Sequence, residues 1–158
     1  MKTLAFAMVI FLSCIDISAQ TQFLKPDGIA PGNGYSHVVV TSPGKLVFIS
    51  GQVARDKQGN LVGKGDLRAQ TVQVFENLKA ALASAGATFN DVVKINWYVK
   101  DYKQENLGIL REVRTMYVNK DNPPASTLSG VAALAQDDYL IEVEAVAAIP
   151  NKPAAQKK

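Results

Sequence analysis

GDLRAQTVQVFENLKAALASAG, residues 65–86, decides the fold. Leu67, Val74, Phe75, Leu78, Ala81 and Leu82 recur at steps of three and four, which places them on one face of a helix. Asp66 stands where a side-chain oxygen can accept the first free backbone N–H groups. Gly86 stands where a helix ends in the left-handed conformation. The spacing predicts a helix with one apolar side that other elements must cover.

The segments around it supply that cover. In DVVKINWYVKD (91–101), Val93, Ile95, Trp97 and Val99 alternate with Lys94, Asn96, Tyr98 and Lys100, the pattern of a half-buried strand. Upstream, HVVVT (37–41) and KLVFISGQVA (45–54) read as strands around the turn SPG. Gly51 interrupts the second of these, which suggests a bulge or a close approach to the backbone. Downstream, a second helix is predicted from about Asp101 to Val118, with Leu107, Leu110 and Val113 inward and a capping box between Asp101 and Gln104. NPPASTLSGVAAL (122–134) carries no charge and reads as a strand entering the interior. LIEVEAVAA (140–148) is the last strand. Helices on one face of a mixed sheet would bury both apolar stripes, an α+β arrangement.

The 158 residues are 47% hydrophobic and 20% charged, with a formal charge of +3. That fits one domain with a real core. The lysines are scattered rather than gathered among aromatics, so nothing marks a nucleic-acid surface. MKTLAFAMVIFLSCIDISAQ opens with Lys2, an apolar run from Leu4 to Leu12 and then small residues, the layout of a signal peptide over 1–19. The run is shorter than the roughly 20 residues of a stable membrane span. Export to a periplasm or medium follows as an expectation. FLSC makes Cys14 a weaker candidate for a lipid anchor. Residues 20–31 read as the start of an irregular Gly- and Pro-rich arm extending to 36, 32–149 as the domain, and 150–158 as a disordered tail.

Little in the sequence announces chemistry. His37 is the sole histidine and Cys14 the sole cysteine. No metal-ligand spacing is visible, and no nucleophile elbow or phosphate loop. Glu142 and Glu144, two apart, share a face of the last strand. They are either solvated or one of them handles a proton in a cleft. Arg111 and Arg114, three apart on the second helix, nearly share a face, and that face reads as solvated.

GYSHVV (34–39), LVFISGQVA (46–54), residues 65–86 and 91–101, PPAST (123–127) and LIEVEAVA (140–147) together resemble the Rid family, also called YjgF/YER057c/UK114. The resemblance spans about 32–148. It implies a chorismate-mutase-like α+β fold, with two helices on one face of a mixed sheet, assembled as a homotrimeric barrel with clefts between subunits. It implies hydrolysis of small 2-enamine and 2-imine acids to keto acids and ammonia, without metal or cofactor. Tyr35 matches the family's site tyrosine. Gly51 matches the glycine whose backbone lines the cleft, and Glu142 the acid that orients or activates water. The strand after the second helix begins Pro-Ala-Arg in deaminating members, and that arginine grips the substrate carboxylate. Here Ser126 stands in its place, and Leu128 replaces a frequent cysteine. Arg111, near a site asparagine of active members, could bring a cation from another wall. The alternative is a binding trimer without turnover, in which Ser126, Thr127 and Tyr35 hydrogen-bond a small ligand. A structural or holdase role is a third.

Overall fold

Asp66 opens the first helix. Its Oδ1 accepts the Ala69 N–H at 3.0 Å, and helix α1 runs Leu67–Ser84. Gly86, at φ +77°, turns the chain away. Both end signals therefore operate where the sequence places them. Val74, Phe75, Leu78 and Leu82 are fully buried. This is a computed structural model, and it describes residues 21–42 and 44–151. The signal-peptide and lipid-anchor readings fall outside the described residues, as does nearly all of the tail.

Six strands follow the chain: β1 (Gln22–Leu24), β2 (Val38–Val40), β3 (Gly44–Gln52), β4 (Val92–Lys100), β5 (Ala125–Val131) and β6 (Ile141–Pro150). The last four form one sheet in the order β3-β6-β4-β5. β4 and β5 are parallel and the other pairs antiparallel, so the sheet is mixed. Helix α2 (Asn106–Arg114) connects β4 to β5, as a parallel pair requires. Ile95, Trp97, Val99, Ile141, Val143 and Ala145 point to the helix side and are buried in one cluster with Phe75, Leu110 and Val113. Phe75 lies 5.2 Å from Trp97 and 5.0 Å from Tyr117, ring centre to ring centre. This is the expected α+β fold, with both helices on one face.

Three local expectations change. The stretch 20–36 is not wholly irregular: β1 pairs with β2, Phe23 opposite Val39. The second helix does not start at Asp101. That residue has φ +48° and donates its N–H to the Val131 carbonyl at 2.9 Å. That left-handed backbone is not the extended conformation of an N-cap, and the helix begins only at Asn106. No capping box with Gln104 forms, and α2 starts after Glu105 without a side-chain cap. A short 3-10 turn, Phe89–Asp91, has the true capping box, between Thr88 and Asp91.

Gln70 is a buried polar residue that holds two parts of the fold together. Its Nε2 donates to the carbonyls of Gly63 and Asp138, and its Oε1 accepts the Leu140 N–H at 2.8 Å. The amide thus joins the loop before α1 to the start of β6. Gln70→Leu strands these groups, and each unsatisfied buried group costs about 1–3 kcal/mol. The expected loss in urea-unfolding free energy is about 2–4 kcal/mol, and a loss below about 1 kcal/mol would refute the staple.

Candidate functional site

On the helix side of β4 and β5, Trp97 Nε1 donates to Ser126 Oγ at 3.2 Å. Leu128 follows Ser126 on the same face of β5, and α2 lies across from them. Between them opens a cavity of about 260 Å³, lined by Trp97, Leu107, Leu110, Ser126 and Leu128, with Arg111, Arg114, Asn33 and Tyr35 at its polar side. Tyr35 is placed there by its neighbour. Ser36 donates its N–H to the Pro124 carbonyl and its hydroxyl to the Pro123 carbonyl at 2.7 Å, which pins this segment beside β5. His37 meets Tyr35 edge-on at 5.1 Å and bonds the Ala30 carbonyl through Nε2, a supporting role.

Both arginines reach this cavity. The expectation of a solvated face is corrected, and the reason lies in the helical period. Residues 107, 110, 111 and 114 fall at steps of three, one and three, the inward stripe of a helix. Two guanidiniums occupy positions where apolar side chains would ordinarily continue. Arg114 lies against Gly34, where any Cβ would collide with its guanidinium. Burial, and then the charge of Arg111, lowers the Arg114 pKa from the usual arginine value. It remains a cation at any working pH. Among the described residues neither guanidinium has an ion pair or hydrogen bond.

The other sequence candidates lie across the sheet. Successive strand residues face opposite sides, so Thr127 points away from Ser126 and accepts from Lys94 Nζ at 2.6 Å. Ser126 and Thr127 therefore do not line one pocket of a single chain. Glu142 also lies on this helix-free face. Glu144 Oε1 accepts from Asn96 Nδ2 at 2.8 Å and the Tyr98 hydroxyl at 3.0 Å. That bond to Glu144 raises the Tyr98 pKa, which keeps the phenol a donor. Glu142 has no hydrogen-bond partner among the described residues and is half-buried. Of the two carboxylates, Glu142 alone is uncommitted.

Gly51 explains where that carboxylate rests. Ile49 pairs with Ala145 and Gln52 with Val143, so Ser50 and Gly51 together oppose Glu144. This is a β-bulge. A Cβ at 51 would collide with the Glu142 carboxylate. The glycine inside the strand leaves the space the acid occupies.

The structure thus brings Tyr35, Arg111 and Ser126 together, and separately Gly51 and Glu142. Arg114, Trp97 and Asn33 were not singled out as site residues from the sequence. The two halves define a small α+β domain with a cationic cleft on its helical side and a free acid on its bare face. The profile of the family described as Endoribonuclease L-PSP matches residues 26–149. A RutC family protein of Pyrococcus abyssi is 39% identical over 104 residues, covering 66% of this chain and 79% of that one. A protein of Dermatophagoides farinae named 2-iminobutanoate/2-iminopropanoate deaminase is 30% identical over 126 residues, covering 80% and 91%. The crystal structure of YyfB from Yersinia pestis, described as a Rid-family protein of unknown function, superposes with a TM-score of 0.77 at 39% identity, covering 82% and 98%. The chain belongs to the Endoribonuclease L-PSP family, which takes in the Rid and RutC proteins.

Proposed function

We propose that the protein is a cofactor-independent deaminase of small imines that bear a carboxylate, working as a homotrimer. The observation that carries this reading is the cleft with Tyr35, Ser126 and two unpaired arginines. Ser126 stands where deaminating relatives have their cation, and Arg111 and Arg114 supply positive charge from the facing helix. The named activity of the Dermatophagoides relative supports the reaction class. Within one chain Glu142 and the cleft lie on opposite faces of the sheet. A neighbouring copy seated on the helix-free face brings one subunit's Glu142 to the next subunit's cleft.

The chemistry asked of these groups is modest. A guanidinium holds the substrate carboxylate by charge-assisted hydrogen bonds. With the substrate as its protonated iminium, Glu142 takes a proton from water as the water oxygen bonds to the C=N carbon, and the C=N electron pair moves to nitrogen to leave an amine. The proton held by Glu142 then passes to the amine nitrogen. The C–N bond breaks as the carbinol O–H electron pair forms the C=O, the hydroxyl proton returns to the Glu142 carboxylate and from there to solvent, and ketone and ammonia depart. Positioning supplies much of the acceleration.

The test forms 2-imino acids in situ with an amino-acid oxidase and follows their hydrolysis. Wild type is expected to exceed the spontaneous rate. Ser126→Arg is expected to give no gain, because a third guanidinium beside Arg111 and Arg114 adds repulsion and removes the Trp97 partner. An inert wild type beside an active Ser126→Arg overturns the reading and leaves a binding trimer in its place.

A further inference from the structure

We infer that the cleft selects ligands with two carboxylates, one for Arg111 and one for Arg114, joined by a short carbon chain. The inference rests on the deaminase reading for its reaction, and names a dicarboxylic 2-imino acid as the substrate class. Its ground is the pair of guanidiniums in one cavity of about 260 Å³ with no acid among the lining residues. A single carboxylate satisfies one planar fork and leaves the second unpaired and partly desolvated, which is costly. Glu142, arriving from the neighbouring copy, is engaged with water at the reacting carbon and does not take that place.

Geometry narrows the ligand further. Residues three apart on a helix have Cβ atoms about 5–6 Å apart. That spacing suits two carboxylates separated by about two or three carbons. The walls between and opposite the arginines are Leu107, Leu110, Leu128 and the Trp97 ring, which suit a hydrocarbon spacer. A phosphate monoester fits less well. It concentrates two charges at one point, and phosphate sites draw on the N–H groups of a helix N-terminus. Here the arginines lie in the last turn of α2, the end where the helix dipole is negative. That end eases the repulsion between two cations in the empty cleft, and it presents carbonyls rather than the free N–H groups that cradle a phosphate.

Titration calorimetry with unreactive keto acids separates this inference from the reaction. 2-Oxoglutarate and 2-oxopentanoate have the same five carbons and differ in one carboxylate. The dicarboxylate is expected to bind about ten- to a hundredfold tighter. Arg111→Gln and Arg114→Gln are each expected to bring that preference below about threefold. If Arg114→Gln does not fold, Arg111→Gln carries the test. Equal affinities, no binding of either acid, or a preference that survives both substitutions overturns the inference. Inorganic phosphate binding tighter than 2-oxoglutarate overturns it too. An arginine-dependent preference in a protein that hydrolyses no imine upholds the inference and refutes the deaminase reading. Hydrolysis of monocarboxylic imines without any dicarboxylate preference does the reverse.

Discussion

Glu142→Gln is expected to slow imine hydrolysis by roughly 10²–10⁴-fold, the usual contribution of a positioned acid–base group. Glutamine has nearly the same shape and fits the space that Gly51 leaves open. It cannot take a proton from water. Packing and assembly should therefore persist while kcat falls. Glu144→Gln serves as the comparison. That side chain is held by Asn96 and Tyr98, so its loss is expected to act on stability rather than on the chemical step. The readout is kcat in the in situ imine assay, with unfolding by urea measured alongside. A Glu142→Gln protein with wild-type kcat refutes the assignment of the acid.

Phe48→Asp is expected to convert the proposed trimer to folded monomers and to lower hydrolysis at least about 100-fold, because on the proposed reading Glu142 then no longer meets a neighbouring cleft. Phe48 is 75% exposed in the single chain and Leu46 51%, both on the helix-free face of β3. On the other side of the same strand, Ile49 is buried in the core. A strand apolar on both faces is the pattern of a sheet covered on both sides. Burying a phenylalanine contributes about 1.5–3 kcal/mol, and an unpaired carboxylate in the same place is strongly unfavourable. Mass by light scattering and hydrolysis rate together decide the point. A monomeric wild type, or a monomeric variant that retains full activity, excludes the shared cleft.

What could be read from the sequence was local. The α1 stripe, its Asp66 cap and its Gly86 exit lie within one segment, and all three stand in the structure. The alternation of β4 was equally plain from Ile95 to Val99, but at its start a register shift puts Val92, not the expected Val93, in the core. The bulge signalled by Gly51 was plain as well. β1 has three residues, too few to establish a period. The start of α2 was misplaced because Asp101 takes a left-handed backbone, its N–H bonded to Val131 thirty residues away in the chain, a contact that no local pattern reports. The separation of Ser126 from Thr127 follows from strand geometry and was available without a structure. Arg114 had a signal too: with Leu107, Leu110 and Arg111 it completes a helical stripe. That Glu142 and Tyr35 lie on opposite sides of the sheet depends on register, which the separate segments do not contain.

The arginines stand on α2 while the free acid stands on β6, and this division bears on how such a protein changes over generations. Residues on β6 are bound by register to two neighbouring strands, so substitution there disturbs the whole sheet. An exchange at 111 or 114 leaves every strand pairing intact. The charge that the pocket presents can drift through one nine-residue helix while the acid of the proposed reaction stays fixed in the sheet. An engineer seeking a different acceptor of charge would vary α2 first and leave Gly51 and Glu142 as an inseparable pair.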